Sequence, residues 1–187
     1  MSTLPRRLWL SASFLLVLFI ATATATAAAL LNRAKDPPGL QGMLEHYGNL
    51  QRDHVSDQAK INYPFTPPVG GKHASIWQNC GVYRTPIPNE TGTHSLEHGA
   101  VWIAYGQGTP KNDRLKLEKF ARGKPYVLLS PVVTITSPIS VVAWGVRMNL
   151  NTFDLPKLEA FVKAYAPNPD APEPQFPCVG GTGNPIR

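Results

Sequence analysis

Runs of apolar residues in the second half of the chain predict β-strands. Ala100 to Tyr105 is almost continuously apolar, which is typical of a strand that is covered on both faces, and predicts a central strand. Tyr126 to Ser130 and Ile139 to Trp144 are rich in Val, Ile and aromatic residues, which strands favour. A further strand is predicted around Gly81 to Thr85. The pattern therefore predicts a sheet of about four strands.

Two other segments repeat their apolar residues at helical spacing. The first is Lys111 to Arg122, which Gly123 follows as a helix stop. The second begins after Asp154, whose side chain can cap a helix, and contains Pro156 in its first turn. The apolar stripe of this second helix consists of Leu158, Phe161, Val162 and Tyr165.

The order of these elements predicts an α+β fold. We expect a small mixed or antiparallel sheet with the two helices on one face. The preceding chain shows no sustained hydrophobic period and is interrupted by proline and glycine, so long irregular N-terminal loops are expected. The predicted organisation is an N-terminal membrane or signal segment at 1–31, a linker at 32–53, a globular domain at 54–178 and a flexible tail at 179–187.

The N-terminal segment predicts contact with a membrane. Arg6 and Arg7 precede an uncharged stretch from Leu8 to Leu31, which is long enough to span a hydrocarbon core as one transmembrane helix. The alternative is a cleaved signal peptide, because small residues at suitable spacing follow the apolar block. In the first case the protein is a single-pass membrane protein with its C-terminal domain outside the cytoplasm, and in the second it is secreted.

The charge of the chain raises the question of a nucleic-acid partner, since the formal net charge is +6. The basic residues are concentrated, however, in the segment Lys111 to Lys124, which contains the predicted amphipathic helix. A solvated helix face explains this concentration, and attraction to anionic lipid headgroups is the alternative. We therefore expect no nucleic-acid partner. Possible partners are the membrane itself and other subunits of a membrane complex.

The two cysteines of the chain are Cys80 and Cys178. Export to an oxidising compartment would allow them to form a disulfide. The alternative is that both are thiolate ligands of a metal ion. A disulfide requires their Cα atoms to lie within about 7 Å of each other.

The segment Thr93 to Gly99 combines histidine and glutamate beside the predicted central strand. His94 and His98 share one side of the chain in either a helix or a strand, whereas Glu97 joins them only in a helix. Converging imidazoles are good ligands for zinc or copper. We expect His73 and His54 to complete a site with His94 and His98. Met148 is a weaker candidate, relevant only to copper.

Three interpretations of this segment remain open. The histidines and Glu97 can bind a metal ion, can form a buried hydrogen-bond network, or can catalyse a reaction. His94-Ser-Leu-Glu97-His98 also matches the H-x-x-E-H pattern of inverted zinc metalloproteases, in which the glutamate is the general base. We expect this match to be accidental, because Gly99 ends any helix at once and Glu173 is not placed on a helix that could complete the site.

A set of short motifs also carries a family resemblance. These motifs are His54, Tyr63, Pro67-Pro68, Gly71-Lys72-His73, Trp77, Cys80-Gly81-Val82-Tyr83, Pro86-Ile87-Pro88, Glu90, His94 to Gly99, Tyr105, Ser130-Pro131, Ala143-Trp144-Gly145, Phe153-Asp154 and Phe161. From about His54 to Cys178 the chain resembles a family of uncharacterised, usually membrane-anchored proteins known as domain of unknown function 3105. The resemblance places the four candidate histidines and Glu97 at motif positions, and Met148 at none. The sequence departs from the family pattern at Val69-Gly70, where a serine more often precedes the glycine.

The leading hypothesis is a membrane-tethered, extracytoplasmic domain that binds copper or zinc through a histidine cluster. The first alternative is a non-catalytic interaction module or accessory subunit of a membrane complex, in which the histidines only brace loops. The second is a metal-dependent hydrolase with Glu97 as general base. The sequence does not decide whether the protein is an enzyme, although it favours a binding role.

Overall fold

The computed structural model describes residues 36–186 and contains eight short strands and three helices within that range. The strands are β1 (Leu44–His46), β2 (His54–Val55), β3 (His73–Ala74), β4 (Gly81–Val82), β5 (Val101–Tyr105), β6 (Val127–Pro131), β7 (Ile139–Ala143) and β8 (Val146–Leu150). The helices are α1 (Asn89–Glu97), α2 (Lys111–Ala121) and α3 (Leu155–Tyr165).

A mixed six-stranded sheet lies at the centre, in the order β1-β8-β7-β5-β6-β4. Strand β6 pairs in parallel with β4 and β5, whereas the other neighbouring strands are antiparallel. The predicted α+β class and mixed sheet are confirmed. The predicted number of about four strands is too low, since β1 and β8 add two strands on one side of the sheet.

Two helices cover one face of the sheet, as predicted. Leu117 and Phe120 of α2, together with Leu158 and Phe161 of α3, join a hydrophobic core with alternate residues of the central strands. The side chain of Asp154 accepts a hydrogen bond from the backbone N–H of Lys157 at 3.2 Å and so caps α3 as expected.

The opposite face is covered by α1 and by irregular segments. Leu96 of α1 and Trp102 of β5 are fully buried in a second hydrophobic cluster there. Gly92 allows this close packing, because a Cβ atom at that position would lie 2.6 Å from Cζ3 of Trp102. The indole N–H of Trp102 donates a hydrogen bond to Oγ of Ser130 at 3.0 Å. The sheet is therefore enclosed on both sides, and α1 lies against its second face.

Parts of the predicted linker and tail belong to the folded domain. The region 32–53, predicted to be a linker, supplies β1 to the sheet and the buried Leu40 and Leu44 to the core. The tail at 179–187 was expected to be flexible, but Thr182 and Ile186 form β-bridges with Gln78 and Val82. Backbone hydrogen bonds explain both differences, and such bonds leave little trace in hydrophobic periodicity.

The predicted transmembrane or signal segment at 1–31 lies outside the described residues. Within residues 36–186, no helix combines the length and the apolar character that crossing a membrane requires.

The predicted disulfide is confirmed. Cys80 and Cys178 are bonded, with their Cα atoms 5.3 Å apart, and both residues are buried. The bond attaches the C-terminal segment to the start of β4. The alternative role of the two cysteines as thiolate metal ligands is therefore excluded in this oxidised form.

Candidate metal centre

Helix α1 carries the histidine motif, although its sequence is a poor helix former. Thr91, Gly92 and Thr93 all have low helix propensity, and Pro88 at the N-cap offers no side-chain cap. Tertiary hydrogen bonds hold the helix instead: Ser95 Oγ donates to the carbonyl of Gln78 at 2.7 Å. The helix then ends at the motif, since Gly99 has a φ of +91°.

The helical conformation decides which side chains converge. His94 and Glu97 are three residues apart, so they are neighbours on one face of α1. The parallel bridge between β2 and β3 faces them and places His54 directly opposite His73 in register. This bridge is braced from outside, because the backbone N–H and the hydroxyl of Ser75 both donate to Asp57 Oδ1. One helix face and one short bridge thus form the site.

We call His54, His73, His94 and Glu97 the first ligand group. One potential ligand atom from each residue lies within 4.8 Å of the others. The three imidazole centroids are mutually 4.8 to 4.9 Å apart. Zn–N bonds of about 2.0–2.1 Å place tetrahedral ligand atoms roughly 3.4 Å apart, so side-chain shifts of about an ångström would close the group on an ion.

Backbone carbonyls orient the two buried imidazoles of this group. Nδ1 of His73 lies 2.8 Å from the carbonyl oxygen of Gly71, and Nδ1 of His94 lies 2.8 Å from that of Ala74. Because a carbonyl oxygen only accepts, Nδ1–H must be the donor in both cases. In the neutral tautomer each Nε2 then presents a lone pair to the cluster. Metal-ligating histidines are typically held by the same second hydrogen bond.

A buried carboxylate lies at the centre of the first ligand group. Oε2 of Glu97 is 2.8 Å from Nε2 of His73 and 3.7 Å from Nε2 of His54. Glu97 and His73 are 3% and 0% exposed, and Nε2 of His73 has no correctly directed hydrogen-bond partner. A lone pair and a carboxylate oxygen this close require a proton or a metal ion between them, because two acceptors repel.

The pKa values describe how charge is distributed in this group. Burial lowers the pKa of His94 to about 4, and the neighbouring imidazoles reinforce that shift against the Ala74 hydrogen bond. Burial raises the pKa of Glu97, but contact with His73 and the charges of the surrounding histidines outweigh it, so the pKa is lowered overall. At neutral pH a neutral His94 therefore faces an ionised, buried Glu97.

A second ligand group consists of His94, His98 and Glu173, with potential ligand atoms again within 4.8 Å of one another. The backbone N–H of Glu173 donates to the carbonyl of Glu97 at 3.0 Å, which brings the tail to the end of α1. Oε2 of Glu173 then lies 3.7 Å from Nε2 of His98. Nδ1 of His98 donates to the carbonyl of Pro177 at 3.1 Å. Burial lowers the pKa of His98, although the hydrogen bond to Pro177 and the carboxylates of Glu173 and Glu97 oppose this shift.

The predicted ligands are thus divided between two groups. His54, His73 and His94 meet as predicted, whereas His98 lies in the second group, one helical turn from His94. The ligands predicted from the sequence were the four histidines, with Glu97 assigned to a hydrogen-bond network or to a general base. Glu173 was not expected here, because a tail without a helix gave no reason to place its carboxylate beside α1. The i, i+3 spacing of His94 and Glu97 was the signal that could have identified Glu97 as a candidate ligand.

Neither described methionine reaches the ligand groups. Met148 is fully buried in the core on the α2 and α3 face of the sheet, and Met43 packs against that same core. The weaker expectation that Met148 adds a thioether ligand is therefore wrong, because β8 directs this side chain to the face opposite α1.

Comparison with protein families gives one match. The model of the family described as "Protein of unknown function (DUF3105)" matches residues 54–180. The chain belongs to this family. Both ligand groups and both cysteines of this DUF3105 member lie within the matched residues. No curated protein and no solved structure matches the chain.

Proposed function

We propose that this DUF3105 protein is a metal-binding domain that holds one zinc or copper ion in its first ligand group. The domain lies outside the cytoplasm, tethered to the membrane by the N-terminal segment or released from it by cleavage. The buried Cys80–Cys178 disulfide supports this location, since such bonds persist in oxidising compartments. Binding, rather than catalysis, is the proposed role.

One observation carries the proposal. Backbone carbonyls hold Nδ1 of His73 and of His94, and Nε2 of His73 lies 2.8 Å from the buried carboxylate of Glu97, a contact that needs a proton or a metal ion between the two atoms. Burying a charge is costly unless it is paired or coordinates a metal ion. A divalent ion bound at this point would compensate the carboxylate and use both nitrogen lone pairs.

The ligand types indicate which ions fit. The group supplies three imidazole nitrogens and one carboxylate oxygen. Imidazole suits zinc and copper, whereas the thiolate and thioether ligands that favour Cu(I) are absent from both groups within residues 36–186. Four protein ligands are typical of closed, tetrahedral zinc sites. Zn²⁺ and Cu²⁺ are therefore the proposed ions.

The alternatives explain less of the geometry. A purely structural role in an interaction module accounts for the Nδ1 hydrogen bonds, but it requires a proton between Nε2 of His73 and Oε2 of Glu97, which lie 2.8 Å apart. A hydrolase would need Glu97 free to act on a metal-bound water, yet its carboxylate lies against His73 and His54. Both observations favour Glu97 as a ligand.

The test is metal analysis of the full-length protein, purified in mild detergent without a histidine tag. After loading with Zn²⁺ or Cu²⁺ and removal of excess ion, we expect one ion per chain. His73→Asn should weaken binding by at least the roughly 10- to 100-fold typical of losing an outer-shell partner, because a direct ligand is removed. Asparagine retains an N–H donor near the position of Nδ1, so the Gly71 contact can survive.

Glu97→Gln separates the proposal from the hydrolase alternative. Binding should weaken if Glu97 is a ligand, whereas a general base could be replaced with the metal still bound. His46→Asn is the matched control, since His46 lies on β1 in neither ligand group. Wild-type protein that retains no stoichiometric zinc or copper after loading would refute the proposed function.

A further inference from the structure

We propose that the second ligand group is a second position for the same ion, and that the ion exchanges between the two positions through His94. This inference rests on the proposed function, because it assumes that an ion occupies the first ligand group. It assigns a role to His98 and Glu173, which binding at the first group does not use.

The two positions share a single nitrogen. Nδ1 of His94 is engaged with the carbonyl of Ala74, so only Nε2 is available as a ligand. Both groups nevertheless include His94. One lone pair binds one ion at a time, and the two positions therefore cannot both be filled with His94 as a ligand. The ion occupies one position at a time.

The second position is prepared for a metal ion in the same manner as the first. His98 is 2% exposed, and its Nδ1–H donates to the carbonyl of Pro177, which leaves Nε2 as the ligand atom facing Glu173. The rings of Trp77 and Phe176 lie 4.8 and 5.4 Å from the imidazole centroid of His98 and restrict its rotation. The His98 and His94 centroids are only 4.6 Å apart.

Ligand number and exposure distinguish the two positions. The first offers four protein ligands and the second three, so the ion should reside mainly in the first. Three-ligand sites keep a coordination position open to an outside ligand. The side chain of Glu173 is 40% exposed, which puts that open position within reach of a chelating group from solvent. His54, 48% exposed, gives the first position its own contact with solvent. The second position thus adds a separate route by which the ion is received and released.

The exchange is tested by stopped-flow transfer of Zn²⁺ between the full-length, untagged protein and a chromophoric chelator, 4-(2-pyridylazo)resorcinol. Glu173→Gln and, separately, His98→Asn should slow both uptake and release, because one of two routes is lost. A change that only tightened binding would slow release without slowing uptake. Glu159→Gln is the control, since Glu159 is exposed on α3, on the other face of the sheet.

A second measurement uses protein in which the first position has lost one ligand. The His73→Asn variant should still bind one ion weakly. Adding Glu173→Gln should weaken this remaining binding by a further factor of about 10 to 100. Three results would each overturn the inference while the proposed function stands. They are unchanged transfer rates in both the Glu173→Gln and the His98→Asn variants, remaining binding in His73→Asn that is unaffected by Glu173→Gln, and two tightly bound ions per wild-type chain. Wild-type protein that binds no zinc or copper would instead refute the proposed function itself.

Discussion

Removal of the disulfide should destabilise the domain measurably. The bond joins residues 98 positions apart, and closing a loop of about 100 residues restricts the unfolded chain by up to about 4.7 kcal/mol in the entropic description. The tail keeps other attachments, however: the N–H of Cys80 donates to the carbonyl of Cys178 at 2.7 Å, and the N–H of Gly181 donates to Asn79 Oδ1 at 2.9 Å. These should retain part of the constraint.

We therefore expect the double variant Cys80→Ala and Cys178→Ala to lose about 2–4 kcal/mol of the free energy of unfolding. For a chain of this size that loss corresponds to a fall in Tm of about 4–16 °C. Alanine is preferred to serine because both positions are buried, and a serine hydroxyl would need a new partner.

Thermal unfolding of the full-length protein, followed by far-UV circular dichroism, measures this effect. Wild-type protein in reductant should approach the Tm of the double variant, and reductant should leave the double variant unchanged. A loss below about 1 kcal/mol would refute the reasoning, since it would mean that the remaining hydrogen bonds hold the tail without help from the disulfide.

Three further predictions concern the metal centre and the elements around it. Zn²⁺ at 100 times its Kd should stabilise the protein by about 2.7 kcal/mol, which raises Tm by about 5–11 °C, and His73→Asn should abolish most of this shift. Asp154→Ala should cost about 1 kcal/mol by removing the cap of α3. The hydrogen bond and charge of Lys157 lower the pKa of Asp154, so its contribution is complete above about pH 5 and is lost as pH falls below about 4. Gly92→Ala should cost about 1–3 kcal/mol because the added methyl group collides with the underlying indole.

Matched variants check each of these predictions in thermal or urea unfolding. His46→Asn should retain the zinc shift, and an equal loss in both histidine variants would count against the first ligand group. Asp154→Ala should show a shallower loss of stability on acidification than wild type; parallel curves would contradict the cap. Gly108→Ala places its Cβ in open space and should change stability by no more than about 0.5 kcal/mol. Comparable losses at the two glycines would contradict the close packing of α1.

Local signals predicted much of the fold. The apolar runs located β5, β6 and β7 within one residue at each end, and helical spacing with the Asp154 cap located α2 and α3. Helix α1 escaped prediction because threonine and glycine dominate its centre, and packing against Trp102 holds it in place of intrinsic propensity. Strand β8 was missed although its buried and more exposed residues alternate. Pairing over long sequence distances, as in β1 with β8, has no local signature.

The candidate site was predicted in composition but not in arrangement. Convergence of His94 with His54 and His73 followed from chemistry alone, since imidazoles in nearby segments suit one ion. Placing Glu97 among them required knowledge that α1 is helical. Placing Glu173 required the backbone contact between residues 173 and 97, together with the disulfide that retains the tail. Such contacts between distant segments become visible only in the folded chain.

The final residues of the chain also shield an otherwise open flank of the sheet. Val82 of β4 exchanges two backbone hydrogen bonds with Ile186, of 3.2 and 2.9 Å, on the side away from β6. Unpaired strand flanks invite pairing with a second molecule and lead to aggregation. A chain shortened to end at Cys178 would keep its disulfide but expose these groups, so such a truncation should promote self-association.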